Sequence, residues 1–158
     1  METTRHFTAT TYVVNDGATA LHPHDGLDMW LPPGGHVGRD ELPHRAARRE
    51  VREETGLAVE LLTSPGGVTS ERVESLPQPA HLLLADVNVH DGRVGHQHVD
   101  FVYYGAVEHR AIEPAGDDEA PADDWSWFSV DDLQRRDELA ADVVELGTDA
   151  IEAVGAAA

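Results

Sequence analysis

From residue 35 to residue 57 the chain reads Gly35-His36-Val37-Gly38-Arg39-Asp40-Glu41-Leu42-Pro43-His44-Arg45-Ala46-Ala47-Arg48-Arg49-Glu50-Val51-Arg52-Glu53-Glu54-Thr55-Gly56-Leu57. Asp40 is suited to cap a helix, Pro43 is tolerated in its first turn, and Gly56 supplies the left-handed residue after its end. A helix over Glu41 to Thr55 is expected, of about four turns. With about 100° per residue and Glu50 as zero, His44, Arg45, Arg48 and Arg52 fall between about 120° and 220°, an arginine-rich solvent face. Leu42, Ala46, Ala47 and Val51 fall on the other side, where a sheet should cover them. Glu50, Glu53 and Glu54 fall on that second side too, within about 100° of one another.

Like charges at these spacings repel, and removing them from water costs several kcal/mol per ion unless something compensates. Solvent would relieve them, but the arginines already take the outward face. A divalent cation is the better explanation, because hard cations prefer carboxylate oxygens and Mg²⁺ also engages substrate phosphates. The Gly34-Gly35 pair just upstream lets a ligand approach the backbone closely.

The pattern Gly35-x5-Glu41-x7-Arg49-Glu50-Val51-x-Glu53-Glu54-x-Gly56-Leu57 resembles the signature box of the Nudix hydrolases at every fixed position. Looser likeness runs from Trp30-Leu31-Pro32 through His98-x-Asp100-Phe101 to Trp127-Phe128. The resemblance implies an α/β/α sandwich around a mixed sheet. It also implies hydrolysis of a diphosphate bond in a nucleoside diphosphate linked to another group. Glu50, Glu53 and Glu54 then become ligands for Mg²⁺ or Mn²⁺, with the Gly35 carbonyl as an addition, while Glu41 and Arg49 support them. The general base stays open in this reading: Glu50 or Glu53 in the box, or Glu119 in the acidic loop Gly116-Asp117-Asp118-Glu119. Trp30 and His36, beside the loop, are candidates for substrate contact. His96, His98 and Asp100 would line one side of a strand. They suit either a second metal site or ordinary hydrogen-bonded histidines.

The remaining elements are read from alternation and turn residues. His6 to Val14 is a strand turned at Asn15-Asp16-Gly17, with Thr19 to Leu21 pairing back. Met29 to Leu31 is short and extended, running into a tight loop at Pro32-Pro33-Gly34-Gly35. Val59 to Leu62 is a strand. Ala80 to Val89 and Val99 to Val107 are apolar on both faces, as central strands of a covered sheet should be. A turn at His90-Asp91-Gly92 separates them. Trp125 to Phe128 is a last strand, Ser129 with Asp132 resembles a helix start, and the C-terminus is an amphipathic helix. No internal repeat or flexible linker is visible, so residues 1–158 are expected to form a single domain.

Composition narrows the function classes. Hydrophobic residues make up 41% of 158, which suits a folded core rather than a disordered chain. No apolar run approaches the roughly 20 residues of a membrane span, and the N-terminus carries no secretory pattern. A cytoplasmic protein without membrane contact is expected. Cysteine is absent, which excludes disulfides, thiolate metal sites and the cysteine-dependent diphosphate isomerases of the same fold. Acidic residues number 30 against 11 basic, every one of the latter arginine, for a net charge of −19. Broad nucleic-acid binding, RNA decapping included, is therefore disfavoured. Small-molecule nucleotides remain the expected partners, with a homodimer allowed. So acidic a surface suggests adaptation to concentrated salt, where self-repulsion is screened. The alternative within the fold is a sensor that binds nucleotide without cleaving it. Such domains usually lose box carboxylates, and this chain keeps them.

Overall fold

The computed structural model describes residues 2–24, 29–64 and 66–158. Its spine is a long parallel pair, β1 (Thr4–Asn15) and β7 (Arg93–Ala106), in register from Thr4↔His96 to Val14↔Ala106. On the free side of β7 lie β6 (His81–His90) and, at its far end, β5 (Glu60–Leu61), both antiparallel to it. Across β1 lie β2 (Ala18–Pro23) and β4 (Gly34–His36), also antiparallel. β2 in turn pairs with β3 (Trp30–Leu31) and β8 (Ser126–Ser129). Among the described residues the sheet is mixed, with eight strands.

Strand alternation divides the core between two helical layers. Tyr12 and Val14 of β1, with Val102 and Tyr104 of β7, pack against Val143, Leu146, Ala150 and Ile151 of α3 (Ala141–Ala157). The short α2 (Val130–Arg135) adds Leu133 to that side, behind a capping box between Ser129 and Asp132. The intervening residues Ala9 and Val13 face Ala46, Ala47 and Val51 of α1 (Pro43–Thr55). The result is the expected α/β/α sandwich.

Four local expectations need correction. α1 begins at Pro43, not Glu41, and its N-cap is Leu42 without a side-chain hydrogen bond, so Asp40 caps nothing. Glu41 is held instead in a turn, its N–H donating to the Gly38 carbonyl and its carboxylate accepting from the Gly38 N–H. His44 is buried rather than on the solvent face, whereas Leu42 is exposed. His44 stands at the border of the two faces on a helical wheel, and a small tilt of the helix decides its side.

Gly34-Gly35 is not simply a loop. Gly34–His36 forms β4 against Thr8, Ala9 and Thr10. The ladder continues through Thr11 N–H to the Pro33 carbonyl and Val37 N–H to the Phe7 carbonyl. Finally, β6 is not a covered central strand. It pairs with β7 alone, and Leu82 and Leu84 are 61% and 59% exposed. The principal contacts of α1 and α3 fall on β1, β2, β4 and β7, and α3 meets β6 only at its start, where His81 lies 3.8 Å from Asp149 among the described residues.

Candidate active site

α1 carries its glutamates to the point where β4 leaves the sheet. Gly35 pairs with Ala9 and shares its face toward α1, so a side-chain carbon there would run into the Glu50 carboxylate. Its neighbour Gly34 donates its N–H to Glu54 Oε2 at 2.8 Å, tying loop to helix. Gly35 thus makes room for one carboxylate, and the Gly34 backbone N–H holds another.

Arg49 organises the others. Its Nε and Nη2 donate to the two oxygens of Glu41 at 2.7 and 2.9 Å, a bidentate pair. Nη1 donates to Glu50 at 2.9 Å and to Glu53 at 3.1 Å, and Nη2 also reaches the His36 carbonyl at 3.0 Å. The Arg49 hydrogen bond holds the Glu41 carboxyl below its ordinary range, and Glu41 in turn raises Arg49. One guanidinium therefore serves three carboxylates.

Arg49 gives Glu54 no hydrogen bond. Burial pushes the Glu54 carboxyl up to about 8; the Gly34 N–H opposes the rise, while Glu50, Glu119 and Glu53 add to it. Glu50, with its side chain 14% exposed, is raised by burial first, and Arg49 opposes that rise. Carboxylates held this close, partly desolvated and short of cations, form a set of hard oxygen donors. That donor set fits Mg²⁺ or Mn²⁺.

Glu119 acts on this cluster through its charge although it lies 65 residues beyond Glu54 in the chain. The end of α1 explains how. Glu113 N–H donates to the Thr55 carbonyl and Ala115 N–H to the Glu53 carbonyl, both at 2.8 Å. These bonds satisfy helix carbonyls that would otherwise lack partners and fasten the acidic loop to the helix. Gly56, at φ +74°, leaves room for the Glu113 carbonyl, which a side-chain carbon would strike. Glu119 then sits near enough for its charge to act on Glu50 and Glu54, and burial, Asp118 and Glu53 raise its own carboxyl.

A cleft of about 640 Å³ opens beside the cluster, lined by Gly34, Gly35, His36, Glu54, His98 and Asp100 among others. Trp30 does not line this cleft. Its ring packs on Phe128 at 5.3 Å under the Arg136 guanidinium, and its neighbours Met29 and Leu31 face the cleft instead. Asp100 accepts hydrogen bonds from the Thr8 and Thr10 hydroxyls at 2.9 Å. Sequence reading missed the Gly34 clamp, the loop fastening and the two threonines, all of which depend on pairing between distant segments.

A sandwich whose first helix turns three glutamates onto a glycine strand defines a hydrolase of the Nudix type. The chain belongs to the NUDIX domain family, whose model matches residues 5–146. A hydrolase of the NUDIX family from Clostridium perfringens superposes with a TM-score of 0.80 at 28% identity, over 96% of this chain and 99% of that one. The MutT protein from Methanosarcina mazei Go1 shares the fold, with a TM-score of 0.65 at 18% identity over 98% of both chains. The mouse bis(5'-nucleosyl)-tetraphosphatase (asymmetrical) is 43% identical over 51 residues, 32% of this chain. The matched stretch spans 35% of that relative's length.

Proposed function

We propose that this Nudix hydrolase cleaves a diphosphate bond in a nucleoside diphosphate linked to another group. Mg²⁺ or Mn²⁺ would be held by Glu50, Glu53 and Glu54, with the Gly35 carbonyl as an addition. The observation that carries the proposal is the meeting of the Glu50 and Glu54 carboxylates with the Gly34-Gly35 strand, with Glu53 held beside Glu50 by Arg49. A bound divalent ion supplies acidity to water and neutralises phosphoryl charge. The chain's own residues do the rest. Arg49 holds Glu50 and Glu53 in place, and the Gly34 N–H orients Glu54. His36 faces the cleft where a phosphate chain would lie. Glu119, raised above the ordinary carboxylate range, is suited to take a proton from the attacking water, with Glu50 and Glu53 as the alternatives.

Nucleoside diphosphate sugars, nucleoside triphosphates and dinucleoside polyphosphates are all within this class. A phosphate-release screen over such nucleotides, with Mg²⁺ and Mn²⁺ in low and high salt, identifies the leaving group. Hydrolysis of none of them, with nucleotide binding retained, would instead support a sensor. A net charge of −19 without lysine supports a salt-adapted, cytoplasmic enzyme that takes small nucleotides rather than nucleic acid. The bare edge of β6 supports a homodimer. From residue 76 to 99 the only acidic residues are Asp86 and Asp91, so a second copy could approach there against little repulsion. Sedimentation of the parent against Leu82→Glu tests this: a dimer that Leu82→Glu disperses supports the reading, and a monomeric parent refutes it.

A further inference from the structure

Four histidines from three adjacent strands converge beside the cleft. His6 lies on β1, His36 on β4, and His96 and His98 on β7. The registers Thr4↔His96, His6↔His98 and Thr8↔His36, with alternation along each strand, place all four side chains on one sheet face. Their rings meet edge to face in a closed cycle: His6 to His36 5.2 Å, His36 to His98 5.1 Å, His98 to His96 5.1 Å and His96 to His6 4.6 Å. The ligating nitrogens of His6, His36 and His96 all lie within 4.8 Å of one another.

One ring is already oriented. The Thr4 hydroxyl lies 2.8 Å from His96 Nδ1 and 3.2 Å from the Gly95 carbonyl, and when it donates to that carbonyl it accepts from Nδ1. In that arrangement Nδ1 carries the hydrogen, and the lone pair of His96 is on Nε2. An outer hydrogen bond of this kind fixes the tautomer of metal-binding histidines generally.

We propose that His6, His36 and His96 form a binding site for a late first-row transition-metal ion, Zn²⁺ being the natural probe. Bonds of about 2.0–2.1 Å in a tetrahedron need nitrogens roughly 3.3 Å apart, so the rings must close by at most about 1.5 Å. The exposed side chains of His6 and His36 have that freedom. His98, in contact with His36 and His96, stands beside the fourth position, and Asp100 is engaged by Thr8 and Thr10. Imidazole donors favour Zn²⁺ over Mg²⁺, whereas the glutamate cluster offers only hard oxygens. The two sites should therefore fill with different ions. His36 and His98 line the cleft, so the ion would place positive charge beside an anionic ligand in a chain without lysine.

The test uses the full-length chain in excess Mg²⁺. Crystals grown with one equivalent of Zn²⁺ should show one anomalous peak at the zinc edge, enclosed by His6, His36 and His96. By calorimetry in the same buffer, one Zn²⁺ should bind per chain. His6→Ala and His96→Ala should each weaken it at least tenfold, roughly what loss of even an outer-shell partner can cost. Glu54→Gln should leave Zn²⁺ affinity unchanged. No zinc peak among the three rings, or equal affinity in the parent and a folded chain carrying both His6→Ala and His96→Ala, would overturn the proposal. Should a variant fail to fold, the anomalous map of the parent still decides.

Discussion

The Gly34 N–H and Glu54 Oε2 are joined at 2.8 Å across the junction of β4 and α1. The bond matters because Arg49 is already committed to Glu41, Glu50 and Glu53. Without it Glu54 would stand in a partly buried cluster of like charges with no donor to orient it. One backbone N–H is too little to keep the group ionised at neutral pH, since its carboxyl still rises to about 8. A cation held by Glu54, as proposed, would complete what the glycine begins.

The pH dependence of stability follows from that shift. Glu54 has an ordinary value of 4.5 and a folded one of about 8, so between them the native chain binds more protons than the unfolded chain. Its contribution to stability is present in full below about 4.5 and is lost as pH rises through about 8. In chelator, the urea midpoint should fall from pH 6 to pH 8.5, and Glu54→Gln should flatten that fall. Equal slopes in parent and variant would contradict it.

Gly56 should be far less replaceable than Gly17. Both have positive φ, +74° and +75°, but only at Gly56 would a side chain strike backbone, the Glu113 carbonyl. Gly17→Ala should cost about 1–2 kcal/mol, the strain of the left-handed region alone. Gly56→Ala should cost more and also displace the acidic loop, lowering turnover. Paired denaturation curves and initial rates measure both.

Glu119→Gln separates a general base from acidic surface. If Glu119 takes the proton of the attacking water, kcat should fall about 10²-fold or more with the KM for substrate and the affinity for Mg²⁺ little changed. Parental kinetics would move the role to Glu50 or Glu53.

What could be read without coordinates was local. Arg49, Glu50, Glu53, Glu54 and Gly56 declare themselves because helix spacing and a left-handed stop leave few alternatives over so short a stretch. The N-cap lies at Leu42 rather than Asp40 because Glu41 is drawn away by Gly38 and Arg49. Leu82, Leu83 and Leu84 read as a covered strand, since apolar content alone does not reveal whether a helix lies above it. The meeting of His6 with His96 depends on an alignment of strands about 90 residues apart, which alternation within either strand cannot supply. Glu119 was reachable only as one acid among several, and the bonds from Glu113 and Ala115 to the helix end select it.

Salt should stabilise the folded chain. With 30 acidic residues and no lysine, folding concentrates negative charge. The screening length falls from about 30 Å at 0.01 M to about 3 Å at 1 M, which removes most of that repulsion. The thermal midpoint should rise from about 0.05 to 3 M KCl at constant Mg²⁺. A flat or falling midpoint would refute salt adaptation and leave the hydrolase assignment untouched.

The most direct measurement is turnover of Glu54→Gln beside the parent, on whichever nucleotide the phosphate-release screen selects, with Mg²⁺ saturating. The amide keeps the shape of the side chain and can still accept the Gly34 hydrogen bond, but it is a poor ligand for a hard cation. Circular dichroism and the thermal midpoint should show the fold intact, while kcat falls at least about 10²-fold. Near-parental turnover in a folded Glu54→Gln chain would contradict catalysis through the glutamate-held cation.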